Sequence, residues 1–146
     1  MITSILIPTD FSPASWNATQ FGLHLSQLDK NMKLKFLHVY PLSKRNSDHI
    51  EKDSSMIAAV QNRMDKLAKD LSDKSEEVIE NVVLSGDVEE KLIEFISQNH
   101  SDLVIVGVNS NGVNNEIGRH TLSIIEKSGV PVLIVPNKQV NGAIAR

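Results

Sequence analysis

SGDVEEKLIEFISQNHSDLVIVG, residues 85–107, reads as a helix followed at once by a strand. Asp87 and Glu90 have the spacing of a capping box, in which two side chains satisfy backbone N–H groups left open at a helix start. A helix therefore begins at Val88, and Val88, Leu92, Ile93 and Ile96 form its apolar stripe. Residues 102–107, DLVIVG, are then apolar after their first residue and closed by glycine, as in a buried strand. A helix leading into such a strand is half of a strand–helix–strand crossover, which predicts an α/β chain.

The same alternation extends in both directions. Residues 2–8, ITSILIP, form a strand ended by Pro8. Ser12 suits a helix N-cap and Pro13 the first helical position, where its missing N–H is not needed. Ala14, Ala18, Phe21, Leu25 and Leu28 are that helix's predicted inner face. Residues 33–40, KLKFLHVY, are a second strand stopping near Pro41, and the polar, nonperiodic residues 42–54 predict a mobile connection. A second helix shows Ile57, Val60, Met64, Leu67 and Leu71 on one face, with Lys66, Lys69 and Asp70 outside. Residues 77–85 are the third strand. After the loop that follows Gly107, Thr121, Ile124 and Ile125 mark a last helix ended by Gly129, and residues 131–136, PVLIVP, are the fifth strand. Strands rich in Ile, Val and Leu that alternate with helices predict a three-layer, doubly wound, Rossmann-like parallel sheet of five strands.

The 146 residues suit a single domain over residues 1–137, with a tail at 138–146. A net charge of −3 without massed Lys and Arg gives no electrostatic basis for nucleic-acid binding. No segment approaches the ~20 apolar residues that span a bilayer, so no membrane partner is expected. The chain has no cysteine, which excludes thiol chemistry, and its start lacks a basic leader and a cleavage site. A cytoplasmic protein is the expectation.

In open α/β sheets, ligands lie beyond the carboxyl ends of the strands, where strand order reverses. That places Pro8, Thr9, Asp10, Val39 and the loop between Gly107 and Gly118 in the candidate crevice. Thr9 and Asp10 either bind a ligand or organise their own turn. Glycines in the later loop allow close backbone approach, and a helix starting after Gly118 would turn its amides toward an anion. The turn after the first strand lacks the glycines of a dinucleotide fingerprint, and no glycine loop runs into Lys-Ser or Lys-Thr as a P-loop does. Asp102 starts its strand and so cannot serve as a phosphoacceptor at a strand end. His38, within an apolar strand end, is expected to be a hydrogen-bonded structural histidine. The histidines have no zinc-ligand spacing, and no nucleophile with a base stands out, so neither a metal site nor catalysis is expected.

ILIPTDFS at 5–12, LHVY at 37–40, the stretch at 85–107 and GRHTLSIIEKSGVPVLIVP at 118–136 together resemble the universal stress protein family. The resemblance implies strand order 3-2-1-4-5 and an adenine-nucleotide site. It puts Pro8, Thr9 and Asp10 on the adenosine side, with the backbone of Val39 at adenine. Members that hold ATP resemble one another in a loop of Gly, two residues, Gly, nine residues, then Gly followed by Ser or Thr. Here Gly107 and Gly118 match the outer glycines with ten residues between them instead of twelve. The middle glycine is replaced by Ser110 or displaced to Gly112, and Arg119 stands where Ser or Thr would meet phosphate, with His120 beside it. The resulting expectation is a non-enzymatic homodimer joined through the last strand, with a degenerate nucleotide site. The alternative is a sensor of ATP or another adenine nucleotide, with Mg, in which Arg119 replaces the lost phosphate contacts.

Overall fold

A computed structural model describes residues 2–41, 50–75, 79–109 and 115–137. Its elements are β1 (Ser4–Pro8), α1 (Pro13–Leu28), β2 (Lys33–Pro41), α2 (Ile50–Ser75), β3 (Ile79–Gly86), α3 (Val88–Asn99), β4 (Leu103–Asn109), α4 (Glu116–Arg119), α5 (Thr121–Ser128) and β5 (Val132–Asn137). Among the described residues the five strands form one sheet in the order β3-β2-β1-β4-β5, as expected, and every pairing is parallel. The tail lies outside the described residues.

Alternation along the central strands divides the interior in two. Ile5 and Ile7 of β1 join Phe36, Ile105, Ala18 of α1 and Met64, Ala68 and Leu71 of α2. Leu6, between them, faces the opposite layer with Leu37, Val104, Val106, Leu92 and Ile96 of α3, Ile117 of α4 and Ile124 of α5. Helices thus cover both faces of the sheet, the arrangement that a parallel sheet requires. At the amino-terminal edge the Asp102 carboxylate accepts from Thr3 N (2.9 Å), Thr3 Oγ1 (3.0 Å) and Ser4 N (3.0 Å), joining the starts of β1 and β4.

Several local expectations change. The inner face of α1 is not the large-residue stripe: Phe21 is 40% and Leu28 82% exposed, while Ala14, Ser15, Ala18, Thr19, Gly22 and Ser26 are buried. The cause is close approach, since a Cβ at Gly22 would stand 2.5 Å from Ile7 Cδ1. The helix α2 begins at Ile50, inside the expected connection, because its polar first turns carry no apolar period; residues 42–49 lie outside the described residues. The strand β4 continues to Asn109, held by pairing with β5 as far as Asn137. The last helix is preceded by a separate helical turn, α4, so Gly118 lies within a turn and not before one. The capping of α3 is as expected at Asp87, whose carboxylate accepts from Glu90 N at 2.9 Å.

Candidate functional site

The strand order reverses between β1 and β4, and the turn after β1 is built around Asp10. Its Oδ1 accepts from Ser12 N (2.9 Å) and Ser15 Oγ (2.6 Å), and its Oδ2 from Asn115 Nδ2 (2.8 Å) and Ile117 N (3.1 Å). Burial alone would raise the Asp10 carboxyl; the bonds from Ser12, Ser15, Ile117 and Asn115 outweigh it and lower the pKa to about 2. Asp10 is therefore a fixed anion at neutral pH, and the anion facing the Ile117 amide of α4 is the protein's own carboxylate.

Asn115 completes this arrangement. It is 7% exposed, and its Nδ2 also donates to Gly107 O at 3.1 Å while its Oδ1 accepts from Asn109 N at 3.3 Å. Although it stands at the N-cap of α4, its side chain makes no capping bond to that helix. Its amide instead bridges the ends of β1 and β4 at the switch point. Sequence reasoning missed Asn115 because the loop was weighed by its glycines; asparagine next to a helix start was the available signal.

The two outer glycines serve packing. A Cβ on Gly107 would enter the Ala14 carbonyl, so Gly107 lets β4 approach the first turn of α1, and a Cβ on Gly118 would meet Asn115 Oδ1. Ser110 and Gly112 lie outside the described residues. Arg119 is exposed, and its N donates to Asn115 O at 3.1 Å. His120 Nδ1 lies 3.6 Å from Glu89 Oε1, and Lys127 Nζ lies 3.7 Å from Glu89 Oε2, which ties the α4–α5 corner to α3.

The base side differs. Lys33 N donates to Thr3 O and Thr9 N to Leu37 O, so odd-numbered residues of β2 turn their backbone groups toward β1. By the same alternation Val39 turns its N–H and C=O toward the space past the end of β1, beside Pro8, Thr9 and Asp10. Its side chain is buried in the α3 layer. Thr9 is buried, and its carbonyl accepts from His38 Nδ1 at 2.8 Å. Burial lowers the His38 pKa against the opposing pull of that bond and of Asp10, so the ring is neutral and Nδ1 carries the proton. His38 is thus a hydrogen-bonded structural residue, as expected.

An adenine base would therefore meet a strand edge able to read it, whereas a phosphate chain would compete with Asp10 for the α4 amide. Among the described residues no three His, Asp or Glu side chains form a metal-holding group.

A profile of the universal stress protein family matches residues 1–136. No curated protein sequence matches the chain significantly. Among solved structures, the chain is similar to a universal stress protein UspA from Lactobacillus plantarum at 18% identity and TM-score 0.72, covering 91% of this chain and 97% of that one. It is also similar to a family protein from Arabidopsis thaliana with AMP bound, at 14% identity and TM-score 0.65, with 94% and 93% covered. A universal stress protein from Archaeoglobus fulgidus in complex with dAMP matches at 13% identity and TM-score 0.64, with 92% and 97% covered.

Proposed function

The chain belongs to the universal stress protein family, and from that premise we propose that it is a non-enzymatic stress-response protein. It acts in the cytoplasm as a homodimer of single domains, each spanning residues 1–137, with a degenerate nucleotide site. The observation that carries this reading is the Asp10–Asn115 bridge, in which the Ile117 amide and the Asn115 side-chain amide are both committed to the Asp10 carboxylate. A triphosphate would have to displace one fixed anion to place another. The same pairing supports the absence of catalysis. An effective general base has a pKa near the working pH, around 7, and Asp10 at about 2 is too weakly basic to activate a water or hydroxyl.

A second reading, an adenine-nucleotide sensor, is favoured by the backbone of Val39 and by the AMP and dAMP in the two relatives. It would use the base side, Pro8, Thr9 and Val39, with Arg119 supplying charge to the phosphates. Calorimetry with ATP, ADP and AMP, with and without magnesium, separates the two. The leading reading expects no saturable ATP binding at a Kd of order 1 μM and no nucleotide released from the purified protein in mass spectrometry. Tight ATP binding that weakens in Arg119→Ser would establish the sensor instead.

A further inference from the structure

On the α1–α2 face of the sheet, beside the turn that follows β1, a cavity of about 240 Å3 opens between the two helices. Its walls combine two aromatic rings with opposed charges. Trp16 on α1 is 42% exposed, an unusual position for the chain's one tryptophan, and its N donates to Ser12 O in a capped first turn that holds it in place. Phe11 has φ 62, the left-handed region that residues with a side chain rarely enter. Its ring contacts His38, with centroids 4.7 Å apart, and the Arg63 guanidinium, whose Cζ lies 4.2 Å from the ring centroid. A strained backbone that fixes an aromatic side chain in a pocket wall is a recurrent mark of ligand sites.

The opposite wall comes from α2. Arg63, Lys66, Leu67 and Asp70 line the cavity at spacings of three, one and three, the period of one helix face. The buried stripe of α2 at Met64, Ala68 and Leu71 lies beside it. Two cations and one carboxylate leave this wall with a net single positive charge. Arg63 carries its Cζ over the Phe11 ring, and a guanidinium offers several N–H donors, two of which can meet one carboxylate.

We propose that this cavity is a ligand site for a small planar aromatic carboxylate, its ring packed against Trp16 beside Phe11 and its carboxylate facing Arg63 and Lys66. The volume lies below the ~300–1,000 Å3 usual for pockets that take larger ligands, which selects one ring or two fused rings over a nucleotide. Its lining omits Asp10 and Val39 of the nucleotide site discussed above, and the two adjoin at Thr9, Phe11 and Ser12. Asp70 tempers the positive field and so limits affinity for the anion.

The single tryptophan makes the test direct, since one indole N–H signal in a 15N-labelled NMR spectrum reports the pocket. Benzoate, 2-naphthoate and indole-3-acetate are the probes, with benzamide as the neutral twin of benzoate. At least one carboxylate should shift the Trp16 signal saturably below about 10 mM, and benzamide should bind roughly tenfold more weakly than benzoate. Arg63→Gln should weaken the carboxylate about tenfold, and Asp70→Asn should tighten it severalfold without affecting benzamide. Both side chains are exposed, and a thermal melt confirms that each variant is folded. No saturable shift with any probe, equal response to benzamide, or an Arg63→Gln variant that binds normally would overturn the site. So would AMP shifting the Trp16 signal more strongly than every carboxylate, because the pocket would then belong to the nucleotide.

Discussion

At the scale of single residues, Asp10 is expected from the sequence at a ligand crevice, and its carboxylate is engaged by four bonds within the protein. Its carboxyl titrates at 3.8 when free and about 2 when folded, a lowered value, so its stabilisation is present above 3.8 and lost as pH falls through about 2. The full shift corresponds to about 2.5 kcal/mol, and solvent screening of a half-exposed group reduces it to about 1–2 kcal/mol. Asp10→Asn should lose about that much at neutral pH, measured by urea unfolding. Between pH 4 and 2 the difference from wild type should shrink toward zero; a constant difference across that range would mean that the carboxylate charge is not what stabilises the turn. Sequence reasoning located Asp10 from strand-end logic. It could not see that Asn115, 105 positions away in the chain, supplies one of the bonds, because such pairing is a product of the fold and leaves no local pattern.

At the scale of elements, two glycines of the close α1 packing separate a hard contact from a soft one. A Cβ at position 107 meets the backbone carbonyl of Ala14, which cannot move without shifting the first turn of α1 and with it the Ser12 and Ser15 contacts to Asp10. A Cβ at position 22 clashes with the far end of the Ile7 side chain and makes ordinary contact with Ile105 Cδ1. Gly107→Ala should therefore cost about 2–3 kcal/mol, while Gly22→Ala should stay within about 1 kcal/mol, its contact offset by the better helix propensity of alanine. Thermal unfolding of the pair checks this, and equal losses would remove the distinction. The order and type of the strands and principal helices were legible because each carries either an apolar run or an apolar period. The inner face of α1 was not, because small residues at close approach carry no hydrophobic signal. The start of α2 and the turn α4 were hidden for a related reason: both are polar or too short for a period to register.

At the scale of the whole molecule, the sheet ends in two edges of different character. The side of β3 carries polar cover, with Lys35 Nζ 3.3 Å from Glu80 and Asn81 Nδ2 donating to Asp65 at 2.9 Å, as edges that avoid pairing do. The outer side of β5 carries Ile134, 44% exposed. Val104 N donates to Pro131 O, so odd-numbered residues of β5 face β4, and Val132, Ile134 and Pro136 turn their backbone groups outward. Pro136 has no N–H, which leaves Val132 and Ile134 as the outward donors of the strand. An antiparallel twofold pairing that sets Val132 against the partner's Ile134 would use both donors from each copy, with the symmetry axis at Leu133. Light scattering at micromolar concentration should accordingly give a dimer. Ile134→Pro removes the outward N–H without touching a bond to β4, so it should yield a monomer whose melting temperature at the same concentration falls mainly by the lost association. Leu133→Pro instead removes an inward donor and should destabilise the domain itself. A dimer that survives Ile134→Pro would move the interface away from β5, because in this pairing the Ile134 N–H of each copy bonds the partner strand while the ladder to β4 does not use it.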